Sequence, residues 1–159
     1  SETVTKLIGG GLVLFARHRD QWQRVIDDPS TVPGAVEEIL RYWPPSQYQG
    51  RLSTRDSEWH GVTIPARQPV FLLTGAATHD PRHYDDPDRF DIGREASLAI
   101  GFGHGAHRCI GAALARMESA VAFEQIRERW PAFEVDESGL ERVQMSNVAG
   151  YSKVPVTLA

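Results

Sequence analysis

The stretch Phe102-Gly-His-Gly-Ala-His-Arg-Cys109, followed by Ile110-Gly111, carries more structural information than any other part of this 159-residue sequence. It places the only cysteine at the end of a glycine-punctuated turn. Apolar residues recur with helical spacing over 110–127, which predicts an amphipathic helix directly behind the turn. Because a helix N-terminus presents unpaired N–H groups and partial positive charge, it favours the thiolate form of Cys109. The pattern therefore predicts a thiolate placed to bind a metal along the axis of a flat cofactor.

The single cysteine limits the metal chemistry that the chain can support. It excludes an internal disulfide and a four-cysteine zinc cage, whereas one thiolate suits an iron already held by a porphyrin. Gly103, Gly105 and Gly111 leave room around the sulfur for a bulky group. Two alternatives are Cys109 as a small buried apolar residue, and a different metal site formed by histidines. Those histidines are His79, His83, His104 and His107.

The spacing Phe-x-x-Gly-x-x-x-Cys-x-Gly, here Phe102 to Gly111, resembles the haem-binding signature of the cytochrome P450 superfamily, in its soluble bacterial form. The resemblance implies haem b as cofactor, with Cys109 as the iron ligand and with Phe102, Gly103, His107 and Gly111 around it. It also implies a mainly α fold with small β-sheets (α+β), the C-terminal half of the cytochrome P450 fold.

The same resemblance makes residues 1–159 the haem-binding portion of a longer chain, from the central helix onward. We then expect that the N-terminal half is missing and that apolar surface is exposed by the truncation. Such a surface predicts either a partner segment or self-association.

A helix before Pro44-Pro45 carries Glu38 and Arg41, three residues apart and therefore on one face. Further along the chain, Pro87-Asp-Arg89-Phe90 resembles another segment of the family. The resemblance implies that Glu38, Arg41 and Arg89 form a buried triad that supports the cysteine loop. Buried charges of this kind are tolerated only when all of them are paired.

Short β-like runs between residues 50 and 72 predict a small sheet, with turns at Gly61 and Pro65. The resemblance implies that Arg51, in this sheet, and His107, in the cysteine loop, bind the haem propionates. Both residue types suit that role, because a sheltered carboxylate requires a charge-assisted donor.

The chain starts with Ser1-Glu2-Thr3, which resembles the end of the motif on the central helix of the family. The resemblance implies that Glu2 and Thr3 are the catalytic acid–alcohol pair that delivers protons to oxygen bound opposite the cysteine. An ordinary helix cap is the alternative. The three glycines at 9–11 each cost a helix about 1 kcal/mol relative to alanine, so we expect close helix packing there.

Substrate and partner contacts follow from the resemblance alone. It places Gln47, Tyr48, Asn147 and Val148 near a small organic substrate, and three of these four are polar, which favours hydroxyl or carbonyl groups. A ferredoxin-type redox partner is implied, and Arg108 and Arg116 are candidates for receiving it.

Composition adds a few limits. A net charge of −4 and a pI near 5.8 give no sign of nucleic-acid or membrane binding, and no apolar run is long enough to span a bilayer. One cysteine and no signal peptide fit the cytoplasm. The sequence therefore predicts a haem-thiolate monooxygenase, present as a truncated chain. The alternative is a haem-free fragment that acts only as a folded or self-associating scaffold.

Overall fold

Three helices enclose the buried centre of the protein, whose computed structural model describes residues 2–95 and 100–158. Within these residues the helices are α1 (Glu2–Arg17), α2 (Arg19–Asp27), α3 (Val32–Tyr42), α4 (Thr74–Ala77) and α5 (Ala112–Arg129). The core lies where α1, α3 and α5 meet. The predicted fold class, mainly α with small sheets, is confirmed.

The strands form four two-stranded antiparallel sheets in the described part of the chain. They are β1 (Gln49–Leu52) with β4 (Pro69–Leu72), β2 (Ser57–Trp59) with β3 (Val62–Ile64), β5 (Phe133–Val135) with β8 (Val156–Leu158), and β6 (Glu141–Arg142) with β7 (Tyr151–Lys153). The turn between β2 and β3 has His60 and Gly61 at φ 50° and 79°. Positive φ at both central residues is typical of a tight hairpin, so the glycine belongs there.

The side chain of Phe15 on α1 is at the centre of the core. It is fully buried and packs edge-on against Phe123 of α5 at a ring-centroid distance of 5.5 Å. A Cβ atom on Gly11 would lie 2.5 Å from Cζ of Phe123 and 2.8 Å from Cδ1 of Ile39. Close packing therefore accounts for Gly11, whereas a Cβ on Gly10 would meet nothing within 4 Å.

Helix α5 begins at Ala112, two residues later than its apolar spacing predicts, and it buries Ala112, Ser119 and Phe123. The larger apolar side chains of the pattern lie on the opposite, uncovered side. These residues, which we call the α5 stripe, are Ile110, Leu114, Met117 and Val121, with 105%, 52%, 59% and 52% of their surface exposed. The stripe is a large exposed apolar surface of the described part of the chain.

Candidate functional site

An open cleft of about 660 Å³ separates the start of α1 from the cysteine loop, residues 102–111. Its volume is within the range of small-molecule and cofactor sites. Most of the predicted cofactor-binding and catalytic residues line this cleft. They are Thr3, Arg51, Phe102, Gly103, His107, Cys109 and Gly111.

The cysteine loop is held by its own backbone. The N–H of Cys109 donates to the carbonyl of Phe102 at 2.8 Å, and the N–H of Gly103 donates to the carbonyl of Ile100 at 2.7 Å. Gly103 and Gly105 have φ of 72° and 70°, the left-handed region that favours glycine. The loop therefore turns sharply and delivers an exposed Cys109 to the cleft, three residues before the first residue of α5.

The walls of the cleft suit a flat group that carries carboxylates. Leu7 and Leu114 provide apolar surface in the cleft that Cys109 also lines. The Nη1 of Arg51 donates only to the neighbouring carbonyl of Gly50, at 2.9 Å, and no described carboxylate pairs with this guanidinium. One thiol, apolar walls and the basic residues Arg51 and His107 make a donor set that fits haem.

On α1 the cleft reaches Thr3, while Glu2 is not among the lining residues. The backbone carbonyl of Glu2 accepts a hydrogen bond from Oγ1 of Thr5 at 2.7 Å. Of the predicted Glu2–Thr3 pair, Thr3 therefore lines the cleft and Glu2 does not, and Ser1 lies outside the described residues.

Glu38 and Arg41 form the buried pair that their spacing predicts. Both side chains are 2% exposed, and Nε and Nη2 of Arg41 donate to the two Glu38 oxygens at 2.7 and 2.8 Å. The remaining Arg41 donors bind the backbone carbonyls of Thr78, Pro87 and Arg89 at 2.9, 2.8 and 3.2 Å. All five N–H donors of this guanidinium are therefore used.

The prediction that Arg89 is the third member of the buried triad is wrong. The Arg89 side chain is 62% exposed and lies 3.5 Å from Asp91, so this residue contributes only its carbonyl to the network. Arg94 takes the place instead: its Nε lies 3.5 Å from Oε1 of Glu38, at ion-pair distance and without hydrogen-bond geometry. Its other nitrogens bind the carbonyls of Asp85 and Asp86 at 2.6 and 3.0 Å.

The predicted substrate contacts Gln47, Tyr48, Asn147 and Val148 do not line the cleft. Nε2 of Gln47 donates to the carbonyl of Pro44 at 2.6 Å, and its backbone N–H donates to that of Asn147 at 2.9 Å. Tyr48 packs on Phe71 and donates to Oγ of Ser146 at 3.1 Å. Val148 instead forms an antiparallel bridge with Ser46.

Ser46 and Gln49 face the cleft in place of those residues. Nε2 of Gln49 donates to Oγ of Ser46 at 2.9 Å, and Oε1 of Gln49 accepts from the Thr74 hydroxyl at 2.7 Å. Ser46 and Gln49, with the buried Thr74 bonded to Gln49, form a polar wall that sequence reasoning missed. No local pattern identifies this wall, because strict alternation along an extended segment would place Ser46 on the same side as Tyr48 rather than Gln49.

Arg116 and Arg108 differ in how much of their charge is exposed to a partner. Arg116 makes a bidentate pair with Glu37, and its Cζ lies 4.6 Å from the centre of the Phe102 ring. The hydrogen bonds to Glu37 raise the pKa of Arg116. Arg116 therefore supports the cysteine loop from behind, while Arg108 is exposed on it.

The histidine alternative finds no support in the geometry. Within residues 2–95 and 100–158, no three His, Cys, Asp or Glu side chains form a group suited to a metal ion.

None of the helices in the described residues combines the length and hydropathy needed to cross a bilayer.

Comparison with known proteins gives the same result as the cysteine loop. A family profile described as Cytochrome P450 matches residues 15–150. The chain therefore belongs to the cytochrome P450 family. Among curated relatives, it is 42% identical over 159 residues to the "Putative cytochrome P450 123" of Mycobacterium bovis, a match that covers 99% of this chain and 40% of the relative.

A second relative, the "Vitamin D(3) 25-hydroxylase" of Pseudonocardia autotrophica, is 41% identical over 160 residues, with 99% of this chain and 40% of the relative covered. Among solved structures, P450BioI in complex with an acyl carrier protein ligated to hexadec-9Z-enoic acid matches with a TM-score of 0.95 and 34% identity. That match covers 99% of this chain and 41% of the other. The chain thus spans about 40% of the length of the relatives it matches.

Proposed function

We propose that residues 1–159 are the C-terminal haem-binding portion of a haem-thiolate monooxygenase, which hydroxylates a small organic substrate with dioxygen and electrons from a redox partner. The observation that carries the proposal is the exposed Cys109 on a glycine-rich loop, facing a cleft of about 660 Å³. Arg51 and His107 line the same cleft, and Thr3 lies on its α1 side.

In this proposal Cys109 binds the iron of haem b, and Arg51 and His107 bind its propionates. The cofactor, when bound, supplies the activation of dioxygen, and its thiolate ligand favours cleavage of the O–O bond. The chain supplies the rest: the loop fixes the sulfur, Leu7 and Leu114 provide apolar contact, and Arg116 supports Phe102 from behind.

Thr3 is the residue that we assign to proton delivery. Its hydroxyl both donates and accepts, so it can hold a water within hydrogen-bond distance of the cleft and pass a proton through it. Its position on the first turn of α1 supports this role.

The polar wall of Ser46, Gln49 and Thr74 supports a substrate with hydroxyl or carbonyl groups. Ser46 and Gln49 line the cleft, and Gln49 bonds both to Ser46 and to the buried Thr74. The two lining side chains keep lone pairs or donors for a ligand at the cleft surface. One relative is named a vitamin D(3) hydroxylase and one similar structure contains a fatty acyl chain on a carrier protein. These ligands support the general size of substrate, a small to medium organic molecule.

We propose a ferredoxin-type electron donor that docks on the side of the cysteine loop where Arg108 is exposed. An acidic partner would be attracted by this side chain, and such attraction weakens with salt. The proposal includes a cytoplasmic location, which the single free cysteine supports.

A second candidate function is favoured by the α5 stripe. Four large apolar side chains with half or more of their surface exposed are costly in a monomer. We propose that the 159-residue chain by itself covers the stripe against a second copy. In that case it is a haem-free, self-associating scaffold.

Spectroscopy of the chain mixed with haemin separates the two functions. We expect the reduced, carbon monoxide-treated sample to show a Soret band at the thiolate–haem position. Cys109→Ser abolishes that band, whereas Ala106→Ser, a matched change in the same loop, leaves it. Haem bound with an identical spectrum in Cys109→Ser would contradict the assigned ligand, and no haem binding in the parent chain would favour the scaffold.

A further inference from the structure

A second concavity, of about 350 Å³, lies on the other side of the segment that borders the cleft. We call it the basic groove and define it by Arg17, Tyr42, Trp43, Gln47, His79 and Arg142. Ser46 lines the cleft and the next residue, Gln47, lines the groove, so residues 44–49 separate the two spaces. Nothing in the proposed oxygenase chemistry uses this groove.

The groove carries an excess of positive charge. Arg17, His79 and Arg142 line it, and no acidic residue does. Arg17 is already neutralised, because its Nε and Nη2 donate to Glu137 at 2.8 and 2.9 Å. Arg142 forms no ion pair with any carboxylate in residues 2–95 and 100–158. One unneutralised guanidinium therefore faces this space.

Aromatic rings hold the guanidinium of Arg142 in place. Its Cζ lies 5.7 Å from the centre of the Trp43 ring and 6.0 Å from that of Tyr151. A guanidinium that lies over a ring keeps its N–H edge available for an acceptor in its own plane. Two parallel N–H groups in a fixed plane match the two oxygens of a carboxylate.

His79 provides a second polar group. Its Nδ1 lies 3.2 Å from the carbonyl oxygen of Gly75, which is an acceptor. Among the described residues, Nε2 has no hydrogen-bond partner. This nitrogen is therefore the one available for a hydrogen bond to a ligand.

We propose that the basic groove is a binding site for a small organic carboxylate, held edge-on by Arg142. A volume of about 350 Å³ is near the lower end of small-molecule sites, which sets the size of the ligand. A single unneutralised arginine matches the single charge of a carboxylate better than the nearly double charge of a phosphate at neutral pH.

Benzoate is the probe that tests this site, in a titration of the ¹⁵N-labelled chain followed by the amide resonances of Gly75 and Ala149, which line the groove. We expect saturable shifts at both. Binding falls about tenfold or more in Arg142→Gln, because hydrogen bonds to charged groups are among the strong ones. It weakens less in Arg142→Lys, which keeps the charge without the planar fork.

Three comparisons make the result specific. Arg51→Gln removes a cation from the cleft and should leave the benzoate titration unchanged; loss of binding in this variant would place the carboxylate in the cleft and overturn the proposal. Benzamide has the same ring without the charge and should not bind at the groove. Inorganic phosphate binding as tightly as benzoate, or benzoate binding equally to Arg142→Gln, would also overturn it.

Discussion

The Glu38–Arg41 network and the cleft at Cys109 lie on two sides of α3, and they differ in how far the chain itself completes them. Each N–H donor of Arg41 has a partner inside the chain, and both charged side chains are 2% exposed. In the cleft, Cys109 is exposed and Arg51 donates only to its neighbour's carbonyl.

The difference separates folding from binding. A buried charge without its partner is strongly unfavourable, so removing one member of the network should destabilise the fold. Exposed groups in a cleft carry no such penalty, since water solvates them until a ligand arrives. Substitutions in the network should therefore change stability, and substitutions in the cleft should change binding.

The largest effect is expected for Glu38→Ala, which leaves Arg41 buried without its carboxylate. Breaking such a pair costs about 3–5 kcal/mol, and we expect haem incorporation to be lost with it. Urea unfolding and the haem spectrum measure the two effects. The matched control is Arg89→Ala, which should cost less than about 0.5 kcal/mol because this side chain is 62% exposed. Equal losses in both variants would restore Arg89 to the triad.

A smaller effect is expected at the contact between α1 and α5. Gly11→Ala places a methyl group 2.5 Å from the Phe123 ring, and overpacking of this kind costs about 1–3 kcal/mol. Gly10→Ala meets nothing within 4 Å and should stabilise the helix by up to about 1 kcal/mol. Thermal unfolding should show a lower Tm for Gly11→Ala and a higher Tm for Gly10→Ala if core packing, rather than helix propensity, decides the result at Gly11. A loss at both positions would contradict this account.

Sequence reasoning succeeded where a short contiguous pattern carries the chemistry. The spacing from Phe102 to Gly111 is enough to predict a sharp loop before a helix, because left-handed backbone requires glycine and the loop bonds to itself. Glu38 and Arg41 were found for a similar reason, since three residues on a helix bring side chains together.

Prediction from the sequence failed where the partner of a residue is remote in sequence, as with the arginine that pairs with Glu38. Glu38 meets Arg94 rather than Arg89 because the backbone between 85 and 91 curves around the Arg41 guanidinium and turns Arg89 outward. No local pattern records that path. The stripe on α5 shows a related limit: periodicity identifies an apolar face, and only packing shows that Phe123 on the other side is the one buried.

The α5 stripe tests whether the open side of the molecule is covered by a second copy. Val121→Glu puts a charge in the middle of the stripe and should dissociate the self-associated chain, with little change in the stability of the monomer because the side chain is 52% exposed. Light scattering measures the effect. Gln125→Glu adds the same charge to α5 without removing an apolar group and should leave association unchanged. A parent chain that is monomeric would exclude self-association.

The smallest effect is expected at Asp91, at the edge of the buried network. Its backbone N–H donates to Oε1 of Glu38 at 2.9 Å, and its carboxylate accepts from Arg24 of α2. The N–H of Gly93 and the guanidinium of Arg24 each bond to Oδ1 at 2.9 Å and lower the pKa of Asp91 below its ordinary value of 3.8. A lowered pKa means that this carboxylate stabilises the fold above that value and loses its contribution as the pH falls through the lowered pKa.

In Asp91→Asn, the free energy of unfolding should therefore change less as the pH is lowered into the acidic range. The loss at neutral pH should be under about 1 kcal/mol, since the ion pair is partly exposed. Urea unfolding at neutral and acidic pH measures both, with Asp88→Asn in the exposed neighbouring loop as the control. If Asp91→Asn instead lowered the free energy of unfolding as much as Glu38→Ala, a partly exposed residue would be as important to stability as a buried one. Burial would then not explain why the network differs from the cleft.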